Sequence, residues 1–139
     1  MRTCLKIFAL ALAVAASSAS WAASPNWAAV ADEQQIVALV PQEDGTTREV
    51  TIWLAVVDGQ GYIRTRNTSW RSDLERDPNL ALRIAGADYP VRVVPVKDPA
   101  LHERVNAAFT EKYGVTPHIF LGIMRPFLGP WSAYRVEAR

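Results

Sequence analysis

The chain has 139 residues, with 15 basic and 14 acidic side chains and half of its residues hydrophobic. That length supports one domain around one hydrophobic core, and the near-neutral balance argues against a nucleic-acid binder held by phosphate neutralisation. The single cysteine, Cys4, precedes any foldable segment, so neither a disulfide nor a cysteine-based metal site is expected.

Residues 1–22 read as a secretory signal peptide. Arg2 and Lys6 make a positive start, Ile7 to Ala16 is an apolar run, and Ser20 and Ala22 suit a cut after Ala22. A membrane anchor would need ~20 strongly apolar residues, and this run fades into serines. Without Arg2 and Lys6 the mature chain carries 13 basic residues against 14 acidic ones, and its cations are mostly arginine. No twin arginine precedes the apolar run, so a Sec-type route to the periplasm or medium is expected. Residues 23–139 are then one domain, with no membrane span.

In the mature chain, residues 24–33 suggest an arm or short helix. Gln35 to Val40 reads as a strand, followed by a turn over Pro41 to Thr46. Arg48 to Val57 is rich in β-branched and aromatic residues and apolar on both faces, which predicts a central, doubly covered strand. Asp58-Gly59 turns it into a hairpin with Tyr62 to Arg66. Trp70 and Leu74, four apart, share one face of a short helix that Pro78 stops. Leu80, Leu82 and Ile84 alternate as a half-buried strand. Tyr89 to Val96 follows, and its two prolines suggest an edge or bulges. Asp98-Pro99 caps and opens a helix whose apolar stripe is Leu101, Val105, Ala108, Phe109 and Tyr113, with Gly114 at its end. Residues 115–130 are broken by prolines and glycines, and Trp131 to Ala138 reads as a closing strand. The pattern is mainly β (α+β): a small antiparallel barrel of five to six strands with two inserted helices.

Chemistry concentrates at the third strand's end. Tyr62, Arg64 and Arg66 share one face of that strand, with Ile63 and Thr65 on the other. Asn67, Thr68 and Ser69 then lead into the helix that starts near Trp70. Two guanidinium groups, small donors and a helix N-terminus suit a phosphate or carboxylate. The alternative is a solvated turn, with Thr68 or Ser69 as the cap and the arginines paired to Asp73, Glu75 or Asp77. Trp70 is a candidate for contact with a ligand ring or for packing on the barrel. His102 falls in the polar part of the late helix, and His118 in the broken segment. With no cysteine and no paired histidines, a metal site has little support. No Gly-x-Ser-x-Gly elbow is present, and Asn67-Thr68-Ser69 fits a glycosylation acceptor only formally.

The succession Trp70, Leu74, Pro78, Leu80, Leu82, Ile84, Gly86 and Tyr89-Pro90-Val91 resembles the split β-barrel proteins that bind flavin or deazaflavin, notably deazaflavin-dependent nitroreductases. Gly45 to Gly59 resembles their second strand and hairpin. The likeness spans about residues 35 to 97, with Asp73 standing where that family commonly has asparagine. It implies a split barrel, usually a homodimer, that holds a small-molecule cofactor such as FMN or deazaflavin. The cofactor phosphate would lie against Arg64, Arg66, Asn67, Ser69 and Trp70. A non-enzymatic module of the same fold is the rival, and haem handling through His118 a third reading.

Overall fold

The computed structural model describes residues 24–66, 69–114 and 130–139. The described elements are α1 (Trp27–Val30), β1 (Ile36–Pro41), β2 (Thr47–Ile52), β3 (Leu54–Val57), β4 (Gln60–Thr65), α2 (Ser69–Arg76), β5 (Asn79–Ile84), β6 (Ala87–Pro95), α3 (Pro99–Tyr113) and β7 (Ser132–Ala138). All strands join one antiparallel sheet in the order β2-β1-β5-β6-β7-β4-β3. The mainly β expectation holds at that level, but seven strands and three helices are described where five to six strands and two helices were expected.

The difference starts at Trp53. The segment expected to be one central strand is broken there, and its halves, β2 and β3, stand at opposite ends of the sheet order. Only one residue separates them, so the sheet must curl until its ends meet. The apolar character of this segment reflects barrel closure rather than a central position. β2 is in fact largely exposed, with only Ile52 buried.

β6 gives a second correction. It is interior, between β5 and β7, despite Pro90 and Pro95. Its long stagger accounts for both prolines. Val96 N–H bonds to Ala133 on the β7 side and Val93 N–H to Pro78 on the β5 side, and donors alternate sides along a strand. Pro90 therefore faces β7, whose pairing begins only at Val91, and Pro95 faces β5, whose pairing ends at Arg92. Each missing N–H points where no partner strand lies.

Two hairpins are tight two-residue turns, Asp58-Gly59 and Ala85-Gly86, in each of which both residues have positive φ. This is the hairpin geometry whose twist matches the flanking strands. Alternate residues of every strand enter one core, including Ile36, Ile52, Leu54, Ile63, Leu82, Val93 and Val136. Trp27 of α1 and Trp70 and Leu74 of α2 join that core. Gly61 is required there: a Cβ on it would lie 2.4 Å from the Trp27 ring. On the sheet's other face a second cluster forms where Val105 and Phe109 of α3 meet Ala55, Tyr62 and Ala133.

α3 begins as expected, with Asp98 accepting from Ala100 N–H and Pro99 opening the helix, and it ends at Gly114 with φ +80°. Its C-terminal end closes the seam at Trp53. Tyr113 stacks on Trp53 at 4.4 Å and its hydroxyl accepts from Leu54 N–H at 3.0 Å. The Lys112 ammonium donates to the carbonyls of Glu33 and Leu54 at 2.5 and 2.8 Å.

Candidate functional site

β4 lies between β3 and β7 and is buried from Gly61 to its end. Its alternation divides the strand as expected. Ile63 enters the barrel core, whereas Tyr62 joins the cluster under α3. Arg64 and Arg66 continue the Tyr62 face, only 5% and 6% exposed. Arg64 lies between two rings, its guanidinium carbon 4.4 Å from the Phe109 centroid and 4.2 Å from that of Trp131. Arg66 lies over the same Trp131 ring at 4.3 Å. Both cations therefore share one indole. Burial, and then the Arg66 charge, push the Arg64 guanidinium down to about 10, so its positive charge is held against opposition.

β7 sets up this arrangement. Thr65 is opposite Ser132 and Arg64 opposite Ala133 in the antiparallel ladder, which places Trp131 beside the end of β4. From α3, Asn106 Oδ1 accepts from Arg64 Nη1 at 3.1 Å. Asn106 Nδ2 lies 3.0 Å from His102 Nδ1, and His102 Nε2 lies 3.2 Å from the Trp131 carbonyl. Residues 102, 106, 109 and 113 follow one another at helical spacing, which accounts for one α3 face meeting both the arginines and the Trp53 seam.

The other site residues expected from the sequence divide. Asn67 lies outside the described residues, as does His118. Ser69 opens α2 but is exposed, and its hydroxyl accepts from Arg48 at 2.9 Å. Trp70 is 7% exposed within the barrel core, so its ring serves packing. Asp73 turns away from the arginine pair. Arg76 and Arg48 approach its carboxylate at 3.1 and 3.6 Å, and Gln42 donates to it at 3.4 Å. Glu75 pairs with Arg71, and the Asp77 carboxylate accepts from Asn79. The acids named as partners for Arg64 and Arg66 thus all hold other groups.

Phe109, Trp131, Asn106 and His102 were absent from the residues proposed from sequence. His102 and Asn106, four apart beside the apolar stripe, were the available signal. Trp131 had none, because its place depends on β7 pairing with β4.

A cavity of about 240 Å³ shares His102 and Trp131 with this corner and is also lined by Arg71, Glu75, Ser132 and Tyr134. Burial raises the Tyr134 phenol. The cavity is smaller than the ~300 Å³ at which ligand pockets commonly begin. The arginine pair fits an anionic end group. Among the described residues no cluster of three or more His, Cys, Asp or Glu is placed to hold a metal, and no helix is long and apolar enough to cross a membrane.

Residues 26–125 match the family described as "Uncharacterized protein conserved in bacteria (DUF2255)". The chain belongs to this family. Comparison with curated proteins gives no match. Among solved structures the DUF2255 chain is similar to a conserved hypothetical protein from Mycobacterium tuberculosis, with 18% identity and a TM-score of 0.63, covering 85% of this chain and 81% of that one. It is also similar to HutZ, the heme storage protein from Vibrio cholerae, with 13% identity and a TM-score of 0.62 over 84% and 89% of the two chains. A FAD-binding protein from Mesorhizobium loti has 13% identity and a TM-score of 0.56 over 81% and 84%. What these proteins share with the chain is the split-barrel fold.

Proposed function

We propose that this protein is a split-barrel binder of a planar, anionic small molecule, with Arg64 and Arg66 receiving its phosphate or carboxylate. The observation that carries the reading is the pair of buried guanidinium groups on one Trp131 ring. An anion beside them would relieve the repulsion and desolvation that push Arg64 down, and charge-assisted bonds to a guanidinium are the stronger kind. The split-barrel structures described as FAD-binding and as heme storage support the ligand class, since flavin nucleotides and haem both join a planar ring to anionic groups.

Flavin mononucleotide or deazaflavin is the preferred ligand, in a redox role of the nitroreductase-like kind. A bound flavin supplies the hydride chemistry; the chain's part is to hold the anion and exclude water from it. Export directed by residues 1–22 and a homodimer belong to the same reading, and the ligand would then be taken up outside the cytoplasm. A second reading is favoured by the low exposure of both arginines: a non-binding module in which the stack on Trp131 simply closes the space under α3.

Titration of purified protein with flavin mononucleotide, deazaflavin, FAD and haem, followed by fluorescence or absorbance and by thermal shift, separates the two. Micromolar binding of any of them, weakened in Arg64→Ala and Arg66→Ala, supports the first reading. Absence of any shift would leave the stack as a structural device.

A further inference from the structure

We propose that Asn106 and His102 are positioning residues for the anion site, acting on Arg64 through a hydrogen-bond circuit of fixed polarity. The inference rests on the ligand-binding reading of Arg64 and names the groups that set its geometry.

The polarity follows from one end. A guanidinium only donates, so the Asn106 atom 3.1 Å from Arg64 Nη1 must be its carbonyl oxygen. The other end of that amide is then the NH2 group, which donates to His102 Nδ1 at 3.0 Å. His102 Nδ1 must therefore carry no proton, and the neutral ring keeps its hydrogen on Nε2. That hydrogen faces the Trp131 carbonyl at 3.2 Å, which only accepts. In each of these three contacts a donor meets an acceptor, and the opposite amide orientation would set donor against donor at Arg64.

The circuit also closes on itself. It starts at the Trp131 backbone and ends on the guanidinium that lies over the Trp131 ring. Trp131 is thus fixed at both its carbonyl and its indole, and Arg64 is held between Phe109 and Trp131 rather than free to rotate about its long stem. Preorganising the donor in this way lowers the ordering cost when an anion binds. His102 and Asn106 come from the same α3 face, one turn apart, so a rigid helix carries the whole support. Neither residue needs to touch the ligand.

The test uses the full chain with flavin mononucleotide as probe and inorganic phosphate as competitor. Asn106→Ala is expected to weaken binding about tenfold, the ordering cost of one long side chain that must then be immobilised when the anion binds. His102→Leu should weaken binding similarly. His102→Asn, which keeps an acceptor near Nδ1, should restore most of the affinity, a rescue that packing alone does not predict. Nitrogen-detected NMR should show His102 as the Nε2–H tautomer in the wild type, its Nε2 hydrogen facing the Trp131 carbonyl.

A His102 found as the Nδ1–H tautomer or as the imidazolium would overturn the circuit, whatever the affinity. If Arg64→Ala weakens binding while Asn106→Ala and His102→Leu do not, positioning fails and the arginine site stands. If the wild type binds neither flavin mononucleotide nor deazaflavin, FAD or haem, the ligand-binding reading fails and takes positioning with it. Should Asn106→Ala misfold, His102→Asn against His102→Leu decides the point alone.

Discussion

The two faces of β4 look onto two differently built regions. On one side Ile63 meets a barrel core of aliphatic and aromatic side chains contributed by every strand. On the other side Tyr62 opens a smaller cluster under α3, and within and around it lie Arg64, Arg66, Asn106, His102 and Lys112. Burying apolar area stabilises at about 25 cal/mol per Å² without regard to direction, so the first region needs only shape. Burying cations is costly unless each meets oriented partners, so the second region needs specific geometry. The contrast shows where selection for something beyond folding has room to act: one helix covers one face of three strands, and both cations that are buried among the described residues, Arg64 and Arg66, collect beneath it.

Substitutions that respond differently in the two regions are the means to break that contrast. The largest effect belongs to the barrel core. Leu82→Ala, at a fully buried β5 position, should cost about 2–5 kcal/mol of stability by urea unfolding and leave the affinity of the folded protein for flavin mononucleotide unchanged. A matching loss of affinity in the folded fraction would mean the two regions are not separable. Next, Arg64→Ala and Arg66→Ala should each weaken ligand binding by about 1.5–3 kcal/mol. The stability cost should be smaller, because removing a desolvated like charge offsets part of the lost ring contact. Unchanged affinity in both variants would move the anion site elsewhere.

Gly61 marks the boundary between predictions about chemistry and predictions about shape. Its Cα faces the Trp27 ring so closely that Gly61→Ala forces the indole aside. The expected loss is about 1–3 kcal/mol by thermal or urea unfolding. Combining it with Trp27→Leu should recover part of that loss, and strict additivity of the two changes would show that the contact is not what Gly61 protects.

How far the fold could be read from the sequence follows the same division. α3 was legible because its cap, opening proline, stripe and terminal glycine are all local. So were the β3–β4 hairpin and the alternation that sends Ile63 and Arg64 to opposite faces. Trp53 was not legible as a break, since an apolar run looks alike whether it passes through a sheet or joins its two ends. Pro90 and Pro95 misled because their tolerance comes from stagger against two neighbours, a property of register. At the candidate site, the shared face of Arg64 and Arg66 was legible because two cations two residues apart on one strand are visible in a row of letters. The same row made Trp70 and Ser69 look like their companions, yet Trp70 answers to the barrel core and Ser69 to Arg48, twenty-one residues earlier. Trp131 joins the arginines only through the pairing of β7 with β4, which no local pattern encodes.

The smallest predicted effect concerns the seam that α3 closes. Burial raises the Tyr113 phenol above its ordinary value of 10, against the opposing influence of the Leu54 backbone bond and the Arg64 charge. The fold therefore favours the neutral phenol, and the stability linked to it is present below pH 10 and lost as pH rises through the raised value. Tyr113→Phe removes the acceptor for Leu54 N–H and should cost about 1 kcal/mol at neutral pH. The variant lacks a group to ionise, so its deficit relative to wild type should shrink above pH 10. Lys112 and Arg64, both lowered by burial, titrate near the same window with the opposite sign: the charged form is disfavoured in the fold, so their contribution improves as pH rises. Both are present in wild type and variant alike, and most of their effect cancels in the difference. Urea unfolding of the two proteins between pH 7 and 11 reads that difference directly. Curves that stay parallel would place Tyr113 outside the alkaline linkage and leave the hydroxyl's hydrogen bond as the whole of the constant deficit.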